Sequence, residues 1–170
     1  MSHTLEALPK PLRKMSRILD VVIALCGAGL VIIVFGNAFL RFVASYDVAW
    51  ARELATFLMV WVTFLGLATA EARGVHMRVT EISAYVFSAA ARRWLDIGIN
   101  VVIAVVLVII IWFGIKISIR TWDQDSTILY WPVGLLYAAM PAGVFLTLVF
   151  LAGHTVRLLV STDPYAHEKE

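Results

Sequence analysis

The chain has 170 residues, 61% of them hydrophobic and only 15% charged, with a mean hydropathy of +0.87. Soluble domains carry roughly a quarter charged residues, so composition alone points to a membrane protein surrounded by lipid bilayer. The formal net charge of +2 comes with no basic stripe, which argues against a nucleic-acid partner, and the single cysteine, Cys26, excludes an internal disulfide or a multi-cysteine metal site.

A membrane-spanning helix needs about 20 mostly apolar residues. A basic N-terminal tail (residues 1–17) precedes a first span over about 18–42, whose stretch Val21 to Leu40 carries no charge. This apolar run is longer than the ~7–15 residues of a signal-peptide core, and Arg41 separates it from the small-residue sequence Val43 to Ser45; the span is therefore expected to be retained. A second span over about 52–72 opens on Arg52 and Glu53 and is uncharged from Leu54 to Ala70. A third covers about 94–117 and a fourth about 130–158, with a C-terminal tail at 161–170. Strict apolar–polar alternation is absent, which argues against a barrel. The expected fold is an all-α membrane protein whose membrane domain (residues 18–160) holds four transmembrane helices. Between the second and third spans, Val75, Val79, Ile82, Val86 and Ala89 recur at spacings of three and four. That stripe reads as a short amphipathic surface helix in a cytoplasmic loop, or as a continuation of the second span beyond the membrane.

Charge sets the expected direction. Lys10, Arg13, Lys14, Arg17, Arg73, Arg78, Arg92, Arg93, Arg157 and Lys169 fall on one side, and Arg41, Arg52, Lys116 and Arg120 on the other. The basic side is cytoplasmic, which puts both termini there. Trp50, Trp122, Tyr130 and Trp131 form an aromatic belt at the opposite surface, and Trp94 lies at the cytoplasmic one.

Few residues in the spans are equipped for chemistry. Glu53, read as lying in the first turn of the second span, either complements the helix dipole or anchors a partner. Asp47, Arg41 and Arg52 are near enough in sequence to neutralise it. Asn37, read as the only carboxamide in an apolar core, is expected to hydrogen-bond across helices. Gly66, Ala70 and Gly74 share one helix face, as do Gly134, Ala138 and Ala142, and Ala139 with Gly143. Such faces let helices approach closely in lipid. Pro141 interrupts the fourth span and is expected to kink it. Asp125 or Ser126 is expected to cap that span, with Pro132 in its first turn. His76 and His154 lie near the cytoplasmic ends of two spans, the arrangement of a haem-binding redox anchor, but His76 follows the turn Glu71 to Gly74 rather than lying within a span. No nucleophile–base set, phosphate loop or metal-spaced acidic cluster is present, so no catalytic residue and no cofactor is expected.

The run from Trp50 to Val79 resembles the signature of the small membrane subunit, DctQ type, of tripartite ATP-independent periplasmic (TRAP) transporters. The residues that carry the likeness are Trp50, Glu53, Leu54, Trp61, Phe64, Leu65, Gly66, Arg73, Gly74 and His76. A second block matches through Pro132, Tyr137, Pro141 and Gly143. The chain departs from the pattern where it has Arg52 in place of a second acid, Thr56 in place of a basic residue and Thr80 in place of an aspartate. The resemblance implies a non-enzymatic scaffold subunit of the bacterial inner membrane. It implies two partners, a large elevator-type transport subunit and a periplasmic substrate-binding protein, and sodium-driven uptake of organic acids. Glu53, Trp61, Gly66, Ala70, Gly74, His76, Tyr137, Pro141 and Gly143 are the implied subunit-contact candidates, and substrate residues are expected on the other subunits. A redox-enzyme anchor and a free-standing carrier or channel are the alternative classes.

Overall fold

A computed structural model describes residues 10–73 and 89–160. The stretch expected to form the amphipathic surface helix, with Gly74 and His76, lies outside the described residues. Five helices follow in chain order: α1 (Lys10–Ala44), α2 (Ala49–Ala72), α3 (Ala89–Arg120), α4 (Val133–Tyr137) and α5 (Ala139–Val160). Four segments are long and apolar enough to cross a membrane: α1, α2, α3, and α4 with α5 taken together. The two longest go well past the hydrocarbon core. At 1.5 Å per residue the 35 residues of α1 reach about 52 Å and the 32 of α3 about 48 Å, against a hydrocarbon core of about 30 Å.

The helices pack in a row. α2 and α5 form the central pair; α1 lies against α2, and α3 against α5. One core cluster joins Leu19 of α1, Leu65, Ala68 and Ala72 of α2, and Phe150 of α5. A second joins Leu107 of α3 with Val144 and Leu151 of α5. The outer helices leave long apolar faces uncovered, including Val31, Phe35 and Phe39 on α1 and Val102, Val105 and Ile109 on α3. In water such faces would drive aggregation; in lipid they meet a solvent as apolar as themselves.

Backbone proximity, rather than large interlocking side chains, sets the tightest contacts. A Cβ built on Gly143 would sit 2.5 Å from the Phe64 carbonyl oxygen and 2.6 Å from its carbonyl carbon. One on Gly134 would meet the Ser118 carbonyl oxygen at 2.5 Å, and one on Gly114 would meet Pro141 Cδ at 3.0 Å. Gly66 is different: no atom lies within 4 Å of its added Cβ. The Gly66–Ala70 face is therefore open within this chain at Gly66, while the Gly143 and Gly134 faces are where helices close on each other.

The fourth span divides at Ala138, three residues before Pro141. Proline has no N–H, so the Tyr137 carbonyl loses its partner four residues on. The flanking bonds survive, from Ala138 N to the Gly134 carbonyl at 2.9 Å and from Ala142 N to the Ala138 carbonyl at 3.1 Å. The start of this span differs from expectation. Pro132 is the N-cap of α4 rather than a first-turn residue, and no side chain caps the helix. Backbone carbonyls of the preceding loop take over that role: Val133 N donates to Gln124 O at 2.7 Å and Gly134 N to Thr121 O at 3.1 Å.

Candidate functional site

The two turns at one end of the bundle, residues 45–48 and 121–132, gather a cluster of polar side-chain bonds. The 121–132 loop folds back on itself. Asp125 and Pro132 form an antiparallel bridge, Ser126 N donates to Trp131 O at 2.8 Å, and Tyr130 takes the left-handed conformation with φ 54°. Its tip presents donors inward, and Glu53 meets them. The Ser126 hydroxyl donates to Glu53 Oε2 at 3.0 Å, Leu129 N to the same oxygen at 3.0 Å, and Ile128 N to Oε1 at 3.1 Å. The Ser126 hydroxyl in turn accepts from Trp131 N at 3.3 Å. Below the carboxylate, Phe57 meets the Trp131 ring edge-on at 5.5 Å and the Trp61 ring at 5.9 Å. A pocket of about 380 Å3 opens beside this clamp, lined chiefly by Phe57, Leu129, Pro132, Val133, Leu135 and Leu136.

This geometry answers why a carboxylate stands at the mouth of a span. α2 begins at Ala49, so Glu53 is in its second turn rather than its first, too far in to serve as an end cap. From there the side chain reaches across to the loop between α3 and α4. Arg52 does not neutralise it. Arg52 turns to Asp47 at 3.0 Å, and Asp47 also accepts from Asn37 Nδ2 at 3.3 Å. Asn37 itself does not bridge two helices as expected. Its Oδ1 accepts from Val48 N at 2.9 Å, so it clasps the α1–α2 turn. The cross-helix carboxamide is Asn100, buried on α3, which donates to Thr155 Oγ1 at 3.1 Å. Asn100 follows Ile97 by one turn inside the third apolar run, and the sequence reading passed over it.

The signature residues come together across the two blocks. Phe64 lies under Gly143, Trp61 and Leu65 join Phe150, and Pro141 lies on Gly114. Arg73 pairs with Asp20 of α1 at 2.7 Å. Tyr137, by contrast, is half-exposed, and Ala70 lies away from the tightest contacts. At the opposite end Ser16, Glu71 and His154 are buried. Glu71 was not singled out from sequence, although its place three residues after Ala68 puts it on the core stripe. Two of the positions that depart from the signature have plain roles, Arg52 holding Asp47 and the Thr56 hydroxyl donating to the Arg52 carbonyl at 3.0 Å, while Thr80 lies outside the described residues.

Four apolar spans, closely approached backbones and polar groups turned to the chain's own loops define an α-helical multi-pass membrane protein. Comparison with known families specifies it further. Residues 30–161 match the family of tripartite ATP-independent periplasmic transporters, DctQ component, and the chain belongs to that family. Among characterised proteins it is similar to the ectoine TRAP transporter small permease protein TeaB of Halomonas elongata, 23% identical over 131 residues that cover 76% of this chain and 67% of that protein.

Proposed function

We propose that this chain is the fixed membrane partner of a large TRAP transport subunit, which moves solute by an elevator-type displacement after a periplasmic binding protein delivers it. The observation that supports this reading is where the polar groups are spent. The Glu53 carboxylate holds a loop, Asn100 holds Thr155, and Ser118 holds the Gly134 carbonyl at 2.8 Å. The hydroxyls of Thr63, Thr69 and Thr147 donate to carbonyls of their own helices. A translocation path needs polar groups able to exchange between solute and protein, whereas these are committed to the fold. Family membership supports the same assignment and a non-enzymatic role.

Because Gly143, Pro141 and Glu53 are engaged inside the chain, the proposed contact with the large subunit falls on the α2 face that is open at Gly66 and includes Ala70; Trp61, Tyr137 and, outside the described residues, Gly74 and His76 are the further contact candidates. The proposed cargo is an organic acid moved with sodium; an ectoine-type solute is the second candidate, on the strength of the relative's name. The site of action is the bacterial inner membrane with both termini cytoplasmic, which places the Glu53-clamped loop on the periplasmic side.

Two measurements test this. Proteoliposomes with the large subunit, this chain and the binding protein are expected to take up solute down a sodium gradient, and proteoliposomes holding this chain alone to take up none; uptake by this chain alone would overturn the scaffold reading. Reporter fusions after Ser161 and within Gln124 to Ile128 are expected to report cytoplasm and periplasm respectively; a periplasmic signal after Ser161 would overturn the orientation.

A further inference from the structure

A second concavity lies between α1 and α2 at the same end of the bundle, meeting the pocket beside the Glu53 clamp at Arg52 and Thr56. It is a groove of about 840 Å3 whose walls include Leu30, Ile33 and Val34 of α1 and Ala55 and Met59 of α2. Asn37, Asp47, Arg41 and Arg52 stand at its upper rim. Of the two cations, Arg52 is paired with Asp47. Arg41 forms no hydrogen bond or ion pair with any described residue, so the rim carries one uncompensated positive charge. From Arg41 down to Leu30 the groove follows eleven residues of helix, about 16 Å, which is close to half the ~30 Å hydrocarbon thickness.

We infer that this groove holds one anionic phospholipid, with its phosphate on Arg41 and an acyl chain between α1 and α2. The length fits a single leaflet, the lower walls are apolar, and the one charge of the groove's lining without an ion pair among the described residues sits at headgroup height with the sign a phosphate requires. A water-filled groove of this depth would leave apolar walls hydrated within the bilayer, whereas an acyl chain covers them. Just below the groove's lining the helices are in ordinary contact, where a Cβ on Gly29 would lie 3.8 Å from Leu58 Cδ1. The inference stands on membrane insertion alone and does not depend on the transport role.

The test is native mass spectrometry of the full chain, delipidated in detergent and titrated with dioleoyl phosphatidylglycerol. One lipid is expected to be retained per chain. Arg41→Ala should weaken retention about fivefold, which is about 1 kcal/mol at 1.4 kcal/mol per decade. Arg41→Lys should keep most of it, and Arg120→Ala, at the same end of the bundle but outside the groove, should leave it unchanged. Ala38→Trp, which fills the groove one turn below Arg41 and keeps the arginine itself, should abolish retention; circular dichroism checks that helicity is kept in each variant. Glycerol phosphate, the headgroup without acyl chains, should not displace the lipid. Equal losses in Arg41→Ala and Arg120→Ala, unchanged binding in Ala38→Trp, or displacement by glycerol phosphate would overturn the inference. So would loss of the lipid on assembly with the large subunit, which would assign the groove to that subunit.

Discussion

Gly143→Ala is expected to loosen the central helix pair, and Gly143→Leu to break it. The added Cβ meets backbone, namely the carbonyl of Phe64 at 2.5 Å, and backbone cannot rotate aside as a side-chain tip does. Either α5 shifts outward or α2 does, and the Phe150 cluster that both helices share is opened with them. Overpacking of this kind costs about 1–3 kcal/mol, and in lipid the displaced helices regain little by hydrophobic burial elsewhere. The measurement is the thermal midpoint of the purified chain in detergent, followed by tryptophan fluorescence. Gly66→Leu supplies the contrast. Its Cβ meets no described atom within 4 Å, so the midpoint should hold, while co-purification with the large subunit should fall if that subunit covers the open face. A midpoint lowered by Gly66→Leu and untouched by Gly143→Leu would reverse this account of the packing.

Glu53→Ala is expected to free the loop between α3 and α4. It deletes three acceptor bonds at once and leaves the amides of Ile128 and Leu129 to water. Glu53→Gln should do nearly as much harm. The donors converge on both oxygens of the carboxylate, so whichever way the amide is turned its NH2 faces another donor. Hydrogen exchange reads this directly. Exchange at Ile128 and Leu129 should accelerate about tenfold or more in both variants, while amides in the middle of α2 keep their protection. Glu53→Asp should recover part of the protection, because the charge survives on a shorter arm. If Glu53→Gln protects the loop as well as the native residue does, the carboxylate's second oxygen is dispensable and the clamp as described is wrong.

How much of this was legible in the sequence follows from the range over which each feature is decided. The spans are written in local runs of apolar residues, and the interruption of the fourth is written in Pro141, because both depend on neighbours along the chain. The clamp is not. Glu53 and its donors are 73 to 76 residues apart, and a carboxylate beside an apolar run reads equally well as a dipole partner, an interface anchor or a loop clasp. The small-residue stripes show the same limit. Spacing identifies the faces on which helices can approach, and Gly66–Ala70 and Ala139–Gly143 look alike in that respect. Only the row order of the helices decides that Gly143 is covered by Phe64 while Gly66 stays open. The cross-helix role expected of Asn37 falls to Asn100 for a related reason: Asn37 lies beside a turn whose Val48 amide needs an acceptor, and Asn100 lies opposite Thr155.

The long reach of the Glu53 clamp also sets an order of events during synthesis. α2 leaves the ribosome well before the loop it will hold, and at about 5–20 residues per second the wait is roughly 4–15 s. Through that interval the carboxylate can be served only by water, which anchors the start of α2 at the membrane surface and keeps the helix from sinking deeper. When the loop after α3 arrives, its Ile128 and Leu129 amides displace that water and tie the second span to the third, before α5 has been made. Glu53 thus acts as a latch fitted early and closed late, so defects in it should accumulate as partly assembled chains during biogenesis before they register in the finished protein.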